Sequence, residues 1–115
     1  MWMIDIDQLK FIHPTMRELL ADRRTLFPEF FGTITSLYRI PVGPPDSVHE
    51  VIPLRGIDER CHIIVLGNEI KTELNKRWIY DPTRPTKKVC RFHDVGQGLH
   101  LHYQVHNSRT VRRWL

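Results

Sequence analysis

Apolar residues near the start of the chain recur with the period of a helix. Met16, Leu19 and Leu20 are spaced so that they share one helix face, and charged residues fill the opposite face. Pro14 stands where a first helical turn tolerates proline, because that position has no helical hydrogen bond to lose. The pattern therefore predicts a helix over residues 14–25.

Later stretches follow the period of a strand. They are rich in β-branched and aromatic residues, or they alternate polar with apolar positions, and prolines and glycines separate them. These stretches predict strands over 33–40, 54–58, 87–92 and 99–105. The last two are expected to pair as an antiparallel hairpin across residues 94–98, and 41–46 and 81–85 are expected to be proline loops.

The stretch 61–78 carries two conflicting patterns. The apolar run Ile63-Ile64-Val65-Leu66 suggests a buried strand, whereas Ile70, Leu74 and Trp78 have helical spacing. We favour a helix whose first residue the pattern does not fix. The expected fold class is α+β, with a small antiparallel sheet and helices packed on one of its faces. Trp78 and Tyr80 are expected in the core.

Composition limits the class of protein. A chain of 115 residues with 41% hydrophobic and 26% charged residues forms one domain, 1–115, with one modest core. The net charge of +4 favours anionic partners without choosing among them. Three arginines lie in a basic tail, 107–115, which either touches phosphate or is a solvated terminus.

Cysteine usage and hydropathy exclude other classes. Cys61 and Cys90 are the two cysteines and form no Cys-x-x-Cys motif, so the pattern excludes a zinc ribbon and favours two buried thiols, with a disulfide left open. No signal peptide and no apolar run of about 18 residues is visible. We therefore expect a soluble protein that is made in the cytoplasm and has no membrane partner.

The candidate chemistry lies in two histidine-containing segments. His100 and His102 alternate with apolar residues, so they share one strand face with Cα atoms roughly 7 Å apart. His49 and Asp58 lie upstream. Taken singly, each of these residues is more often structural than functional. Together they supply enough donors for a catalytic zinc site with three protein ligands and one open position.

Three motifs in order resemble a known superfamily. The strand Thr35–Arg39 resembles the T-S-G-Y-R strand of zinc D-alanyl-D-alanine carboxypeptidases and related phage endolysins, and Ser47–His49 followed by Arg55–Asp58 resembles their S-x-H-x-x-G-x-A-x-D segment. Gly98–His102 resembles the terminal His-x-His of lysostaphin-type and penicillin-insensitive murein endopeptidases, whose metal-binding core hedgehog domains share. The resemblance covers roughly residues 8–106. It implies a hedgehog/DD-peptidase-like fold, a single metallopeptidase-like domain.

The resemblance also implies roles for individual residues. His49, Asp58 and His102 would bind Zn²⁺, although eight residues separate the first two where the family usually has about six. His100, in the slot that a histidine fills in the endopeptidase branches, would move the proton of the attacking water or stabilise the oxyanion. Arg39 would hold a substrate carboxylate or carbonyl. Ser47, or Asp46 beside it, would line the substrate cleft or hydrogen-bond a metal ligand. His13, His62, His93 and His106 are taken as non-ligands, with His93 and His106 kept as the spare candidates because both flank the predicted hairpin.

Three functions follow from these observations. The first is a zinc hydrolase that cleaves peptidoglycan peptides, of phage or prophage origin, reaching the cell wall through lysis machinery or within a virion. The second is a catalytically inactive metal-binding module of the same fold, such as a virion component whose partners are other phage proteins. The third is a small basic nuclease or nucleic-acid-binding domain, which has no motif to support it, so nucleic acid is not an expected partner.

Overall fold

A computed structural model describes residues 12–30, 32–38, 55–94 and 98–113 of the chain. The site candidates Arg39, Ser47 and His49 lie outside these described residues, as do the proline loop at 41–46 and the hairpin residues 95–97. None of the helices in the described ranges is long and apolar enough to cross a membrane.

The described chain forms two helices and six strands. In chain order they are α1 (Pro14–Leu26), β1 (Thr33–Tyr38), β2 (Gly56–Arg60), α2 (Ile64–Arg77), β3 (Trp78–Ile79), β4 (Cys90–Asp94), β5 (Leu99–Gln104) and β6 (Val111–Arg112). Four strands form one sheet in the order β1-β2-β5-β4, and every neighbouring pair is antiparallel. The expected α+β class with a small antiparallel sheet is confirmed, as are the helix near 14–25 and the pairing of the last two predicted strands.

The first helix begins as its sequence predicts. Pro14 lies in the first turn of α1, and the ring of His13 caps the helix by accepting a hydrogen bond of 3.1 Å from the amide of Thr15. The other ring nitrogen of His13 lies 2.9 Å from the carbonyl oxygen of Asn107. His13 therefore joins the start of α1 to the segment after β5, which is a structural role.

Side chains of β2 and β5 alternate between two environments. Ile57, Leu101 and Tyr103 have no measurable exposure and belong to one apolar cluster with Met16 and Leu19 of α1. The helices thus cover this face of the sheet. The other face is polar, and we call it the polar face; its register positions hold Asp58, Arg60, Arg91, His93, His100, His102 and Gln104.

One carboxylate points into the apolar side. Glu59 is fully buried and pairs with Arg23 of α1, with Oε2 2.7 Å from a guanidinium nitrogen. Tyr103 donates its hydroxyl to the same carboxylate. Burial raises the pKa of Glu59, while the Arg23 guanidinium opposes that rise. The pair fixes β2 against α1, so Asp58 is held in place from the opposite side of its own strand.

The ambiguous stretch is a helix from Ile64 onward. The helix favoured by the periodicity is confirmed, and the alternative of a buried strand over 63–66 is wrong. Ile63, Ile64 and Val65 are exposed by 58%, 61% and 70%, and they are the N-cap and the first two residues of α2. The buried contact comes one turn later, where Gly67 packs so closely on Phe92 that an added Cβ would lie 2.3 Å from the ring.

The C-terminal basic segment is attached to the domain. β6 pairs with β3, a two-residue strand that contains the buried Trp78. The sequence pattern predicts neither strand. Arg112 lies 3.2 Å from Asp22, and Arg109 lies 3.5 Å from Asp81. Two of the three tail arginines therefore contact acidic side chains of the domain itself.

Two further expectations concern the interior. Trp78 and Tyr80 are each 3% exposed and belong to the core, as predicted. Cys61 and Cys90 are buried free thiols, also as predicted, and the structure forms no disulfide between them.

Candidate functional site

The register between β2 and β5 assembles the centre of the polar face. Asp58 lies directly opposite His102, and Arg60 lies directly opposite His100. Residues opposite each other in an antiparallel pair point to the same face. Two segments separated by 40 or more positions in sequence are therefore brought side by side by strand pairing alone.

Asp58 and His102 are in direct contact. Oδ1 of the carboxylate lies 2.8 Å from Nδ1 of the imidazole. The Asp58 side chain is 3% exposed, whereas that of His102 is 19% exposed. A charged carboxylate is costly to bury without a cationic or hydrogen-bonding partner. His102 is such a partner, and its remaining exposure leaves the pair open to a small ligand.

Gln104 extends this pair along β5. Its Oε1 lies 3.3 Å from Nε2 of His102, and its Nε2 donates a 2.7 Å hydrogen bond to the carbonyl oxygen of Lys88. Gln104 is 7% exposed. Asp58, His102, Gln104 and the Lys88 carbonyl thus form one continuous chain of polar contacts.

His100 occupies the next position of the same face and is 1% exposed. Its Nδ1 lies 2.8 Å from the carbonyl oxygen of Gly98. A carbonyl only accepts hydrogen bonds, so Nδ1 carries the proton and Nε2 of the neutral ring carries the lone pair. Gly98 adopts a φ of +102°, which side-chain-bearing residues rarely adopt. The glycine therefore helps to fix the tautomer of His100.

The edge strand β4 adds two basic residues to the polar face. Arg91 is opposite His102, and His93 is opposite His100. The rings of His93 and His102 have centroids 6.3 Å apart with an interplanar angle of 41°. Burial lowers the pKa of His93, and the nearby Arg91 guanidinium lowers it further.

The structure brings together the predicted residues Asp58, His102 and His100 on one face. The other three predicted site residues, Arg39, Ser47 and His49, lie outside the described residues. Sequence reasoning missed Gln104, although the alternation that joins His100 to His102 continues to it. It takes His93 as a non-ligand but a spare candidate, and the ring of His93 lies beside that of His102.

The carboxylate oxygen of Asp58 and the imidazole nitrogen of His102 are donor atoms of the kind that bind zinc. Two ligands of one tetrahedral zinc lie about 3.4 Å apart, given metal–ligand distances of roughly 2.0–2.2 Å. The contact of 2.8 Å would have to open by only about half an ångström to reach that separation. Within the described ranges no group of three or more His, Cys, Asp or Glu side chains is arranged to hold a metal, so a complete site requires a donor such as His49.

Comparisons with known proteins return no match: no family model, no curated protein and no solved structure is similar to this chain at a significant level.

Proposed function

We propose that this protein is a zinc-dependent peptidase that cleaves peptidoglycan peptides. The observation that supports the proposal best is the contact between Asp58 and His102. The resemblance to the metallopeptidase superfamily implies that both are ligands of one metal, and their donor atoms lie 2.8 Å apart on neighbouring strands.

His49, Asp58 and His102 would hold the metal. Zinc in such a site supplies a Lewis acid and a water of lowered pKa. His100 would accept the proton of that water through Nε2, because Nδ1 is committed to the Gly98 carbonyl. Arg39 and Ser47 are assigned to substrate binding from their motif positions alone.

The finer points of the fold and the setting belong to the same proposal. A hedgehog/DD-peptidase-like arrangement agrees with a small antiparallel sheet that carries the candidate ligands on the face away from the helices. We propose that the protein reaches the cell wall through phage lysis machinery or as part of a virion, where its substrate is a peptidoglycan stem or bridge peptide.

A direct test measures metal first and activity second. Protein purified without chelator and supplied with zinc should hold close to one zinc per chain. The variants His49→Ala, Asp58→Ala and His102→Ala should each bind zinc much more weakly. Arg24→Gln, an exposed arginine of α1, is the matched control and should bind zinc like the wild type. Purified sacculi should then release peptide or free amino groups only with the zinc-binding proteins.

A second function is favoured by the burial of His100. A proton-transferring residue must reach the substrate, yet His100 is only 1% exposed. This observation favours a catalytically inactive module in which the metal stabilises the fold, for example in a virion. One zinc per chain without hydrolysis of any sacculus preparation would establish this second function, and absence of zinc binding would reject both.

A further inference from the structure

The amide of Gln104 has a fixed orientation. Its two neighbours are the carbonyl oxygen of Lys88, 2.7 Å from Nε2, and the ring nitrogen Nε2 of His102, 3.3 Å from Oε1. A backbone carbonyl only accepts hydrogen bonds, so the amide group must turn its NH₂ toward Lys88. The Gln104 oxygen therefore faces His102.

This orientation determines which nitrogen of the His102 imidazole must carry a proton. An amide oxygen only accepts, so the contact is satisfied when His102 carries a proton on Nε2. Its other nitrogen, Nδ1, then faces the carboxylate of Asp58 at 2.8 Å. Without a metal, a second proton on Nδ1 lets the ring donate to Asp58 as well as to Gln104. A divalent metal ion that replaces this proton would bind Nδ1 and Oδ1 together and leave the Nε2 contact with Gln104 unchanged.

We propose that Gln104 is a positioning residue that keeps the ring proton of His102 on Nε2 and so presents Nδ1 to a metal ion together with Asp58. This inference rests on the proposed function, which supplies the identity of the metal as zinc. The role is one of orientation, since Gln104 touches His102 and not the reacting atoms. Metal-binding histidines generally donate their second ring N–H to an oxygen acceptor, and loss of that acceptor weakens metal binding.

The test compares two substitutions of Gln104. A packing role and a positioning role predict opposite orders for the severity of the two. Gln104→Leu fills the space but removes the acceptor. Gln104→Glu keeps an acceptor beside Nε2 but places a charge at a site that is 7% exposed. If Gln104 only packs, leucine is the milder change. If Gln104 positions His102, zinc affinity in a chelator-competition titration should fall 10–100-fold in Gln104→Leu and much less in Gln104→Glu.

Asn75→Leu is the matched control. Asn75 is a second bridging amide, which donates to the Cys90 carbonyl at 2.8 Å and accepts from the Cys90 amide at 3.0 Å, on α2. Its loss should lower thermal stability and leave the zinc affinity of the folded protein within about twofold of wild type. A drop in zinc affinity equal to that of Gln104→Leu would show that general loosening of the sheet explains both, and would overturn the proposal.

A spectroscopic measurement separates this inference from the proposed function. In ¹⁵N-labelled protein a ring proton on Nε2 of His102 is expected with or without zinc, and it should be lost or exchange rapidly in Gln104→Leu. If the wild type binds no zinc but keeps this proton, the proposed function fails and the positioning role of Gln104 stands. If the wild-type ring carries its only proton on Nδ1, the positioning role is wrong whatever the metal content.

Discussion

Asp58 and His102 face each other across β2 and β5, and their side chains join through a contact of 2.8 Å between Oδ1 and Nδ1. The two side chains differ in exposure, because the carboxylate is buried while the imidazole remains partly exposed to solvent. Glu59, the next residue of β2, is held by Arg23 on the opposite face. The strand that carries the candidate ligand is therefore fixed by charged contacts on both of its sides.

The first prediction concerns the stability that this pair provides. His102→Ala removes a hydrogen bond to a buried carboxylate and should lower the free energy of unfolding by about 1.5–3 kcal/mol in urea. Arg60→Gln, an exposed change on the same polar face, should alter it by less than about 0.5 kcal/mol. Zinc at 100 times its Kd should add about 2.7 kcal/mol to the wild type and nothing comparable to His102→Ala. Equal stabilisation of both proteins by zinc would contradict the assignment of His102 as a ligand.

The second prediction separates His100 from His102. Loss of His102 removes a ligand, so zinc binding and hydrolysis should fall together. Loss of His100 removes a proton acceptor, so His100→Ala should keep zinc while the turnover of peptidoglycan falls roughly 10²–10⁴-fold. The two variants are compared by zinc stoichiometry and by peptide release from sacculi. Full activity of His100→Ala would exclude this role and make His93, which lies opposite His100 on the polar face, the next candidate.

The strands and the first helix could be predicted because their patterns agree with their local propensities. For the strand containing Asp58 the pattern predicts residues 54–58, whereas the structure has Gly56–Arg60. The strand ends in three charged residues, 58–60, and consecutive charged residues are more typical of a loop than of a buried strand. Two of these charges, on Asp58 and Glu59, are buried by contacts with His102 and Arg23 that only the fold supplies.

The start of α2 could not be predicted because the chain provides no signal for it. Ile63 is the N-cap residue, makes no side-chain capping bond, and no acidic residue follows in the first turn. The β3–β6 pair was missed for a related reason. Two residues are too short for a period, and Trp78 continues the helical spacing of Ile70 and Leu74 although it begins a strand.

The third prediction tests the buried pair on the apolar side. Arg23→Met leaves the carboxylate of Glu59 without its cation in the interior and should cost about 3–5 kcal/mol. The double variant Arg23→Met/Glu59→Met replaces both charges by apolar groups and should recover much of that loss. Arg24→Met, the exposed neighbour, is the control and should stay within about 0.5 kcal/mol of wild type. Urea denaturation of the wild type, Arg23→Met, Glu59→Met and the double variant measures the coupling, and strictly additive losses would show that the two side chains do not interact.

The fourth prediction concerns alkaline pH. Burial raises the pKa of the Cys90 thiol well above its ordinary value, and it raises the pKa of Cys61 as well. The folded protein therefore retains thiol protons that the unfolded chain loses above about pH 8.5, so stability must fall as the pH rises. Cys90 alone should account for about 1 kcal/mol between pH 8 and pH 9.5.

Urea titrations at these two pH values measure the effect. Cys90→Ala should have a smaller pH dependence than the wild type, and an unchanged dependence would contradict the assignment. A thiol reagent at pH 8 should modify the native protein slowly and modify both cysteines promptly in denaturant.

The last prediction uses the exposed beginning of α2. Ile63 has the extended backbone of an N-cap residue, with φ −94° and ψ 104°, and its side chain is 58% exposed. Aspartate at this position can accept a hydrogen bond from the first free amides of the helix, and its charge suits the helix N-terminus. Ile63→Asp should therefore raise the free energy of unfolding by about 1 kcal/mol. The same substitution at Ile70, which has no exposure, should instead unfold or severely destabilise the protein, because it buries an unpaired carboxylate. Thermal denaturation of both variants checks the contrast. A large loss of stability in Ile63→Asp would contradict the exposure of this residue and would mean that the apolar run 63–66 is buried.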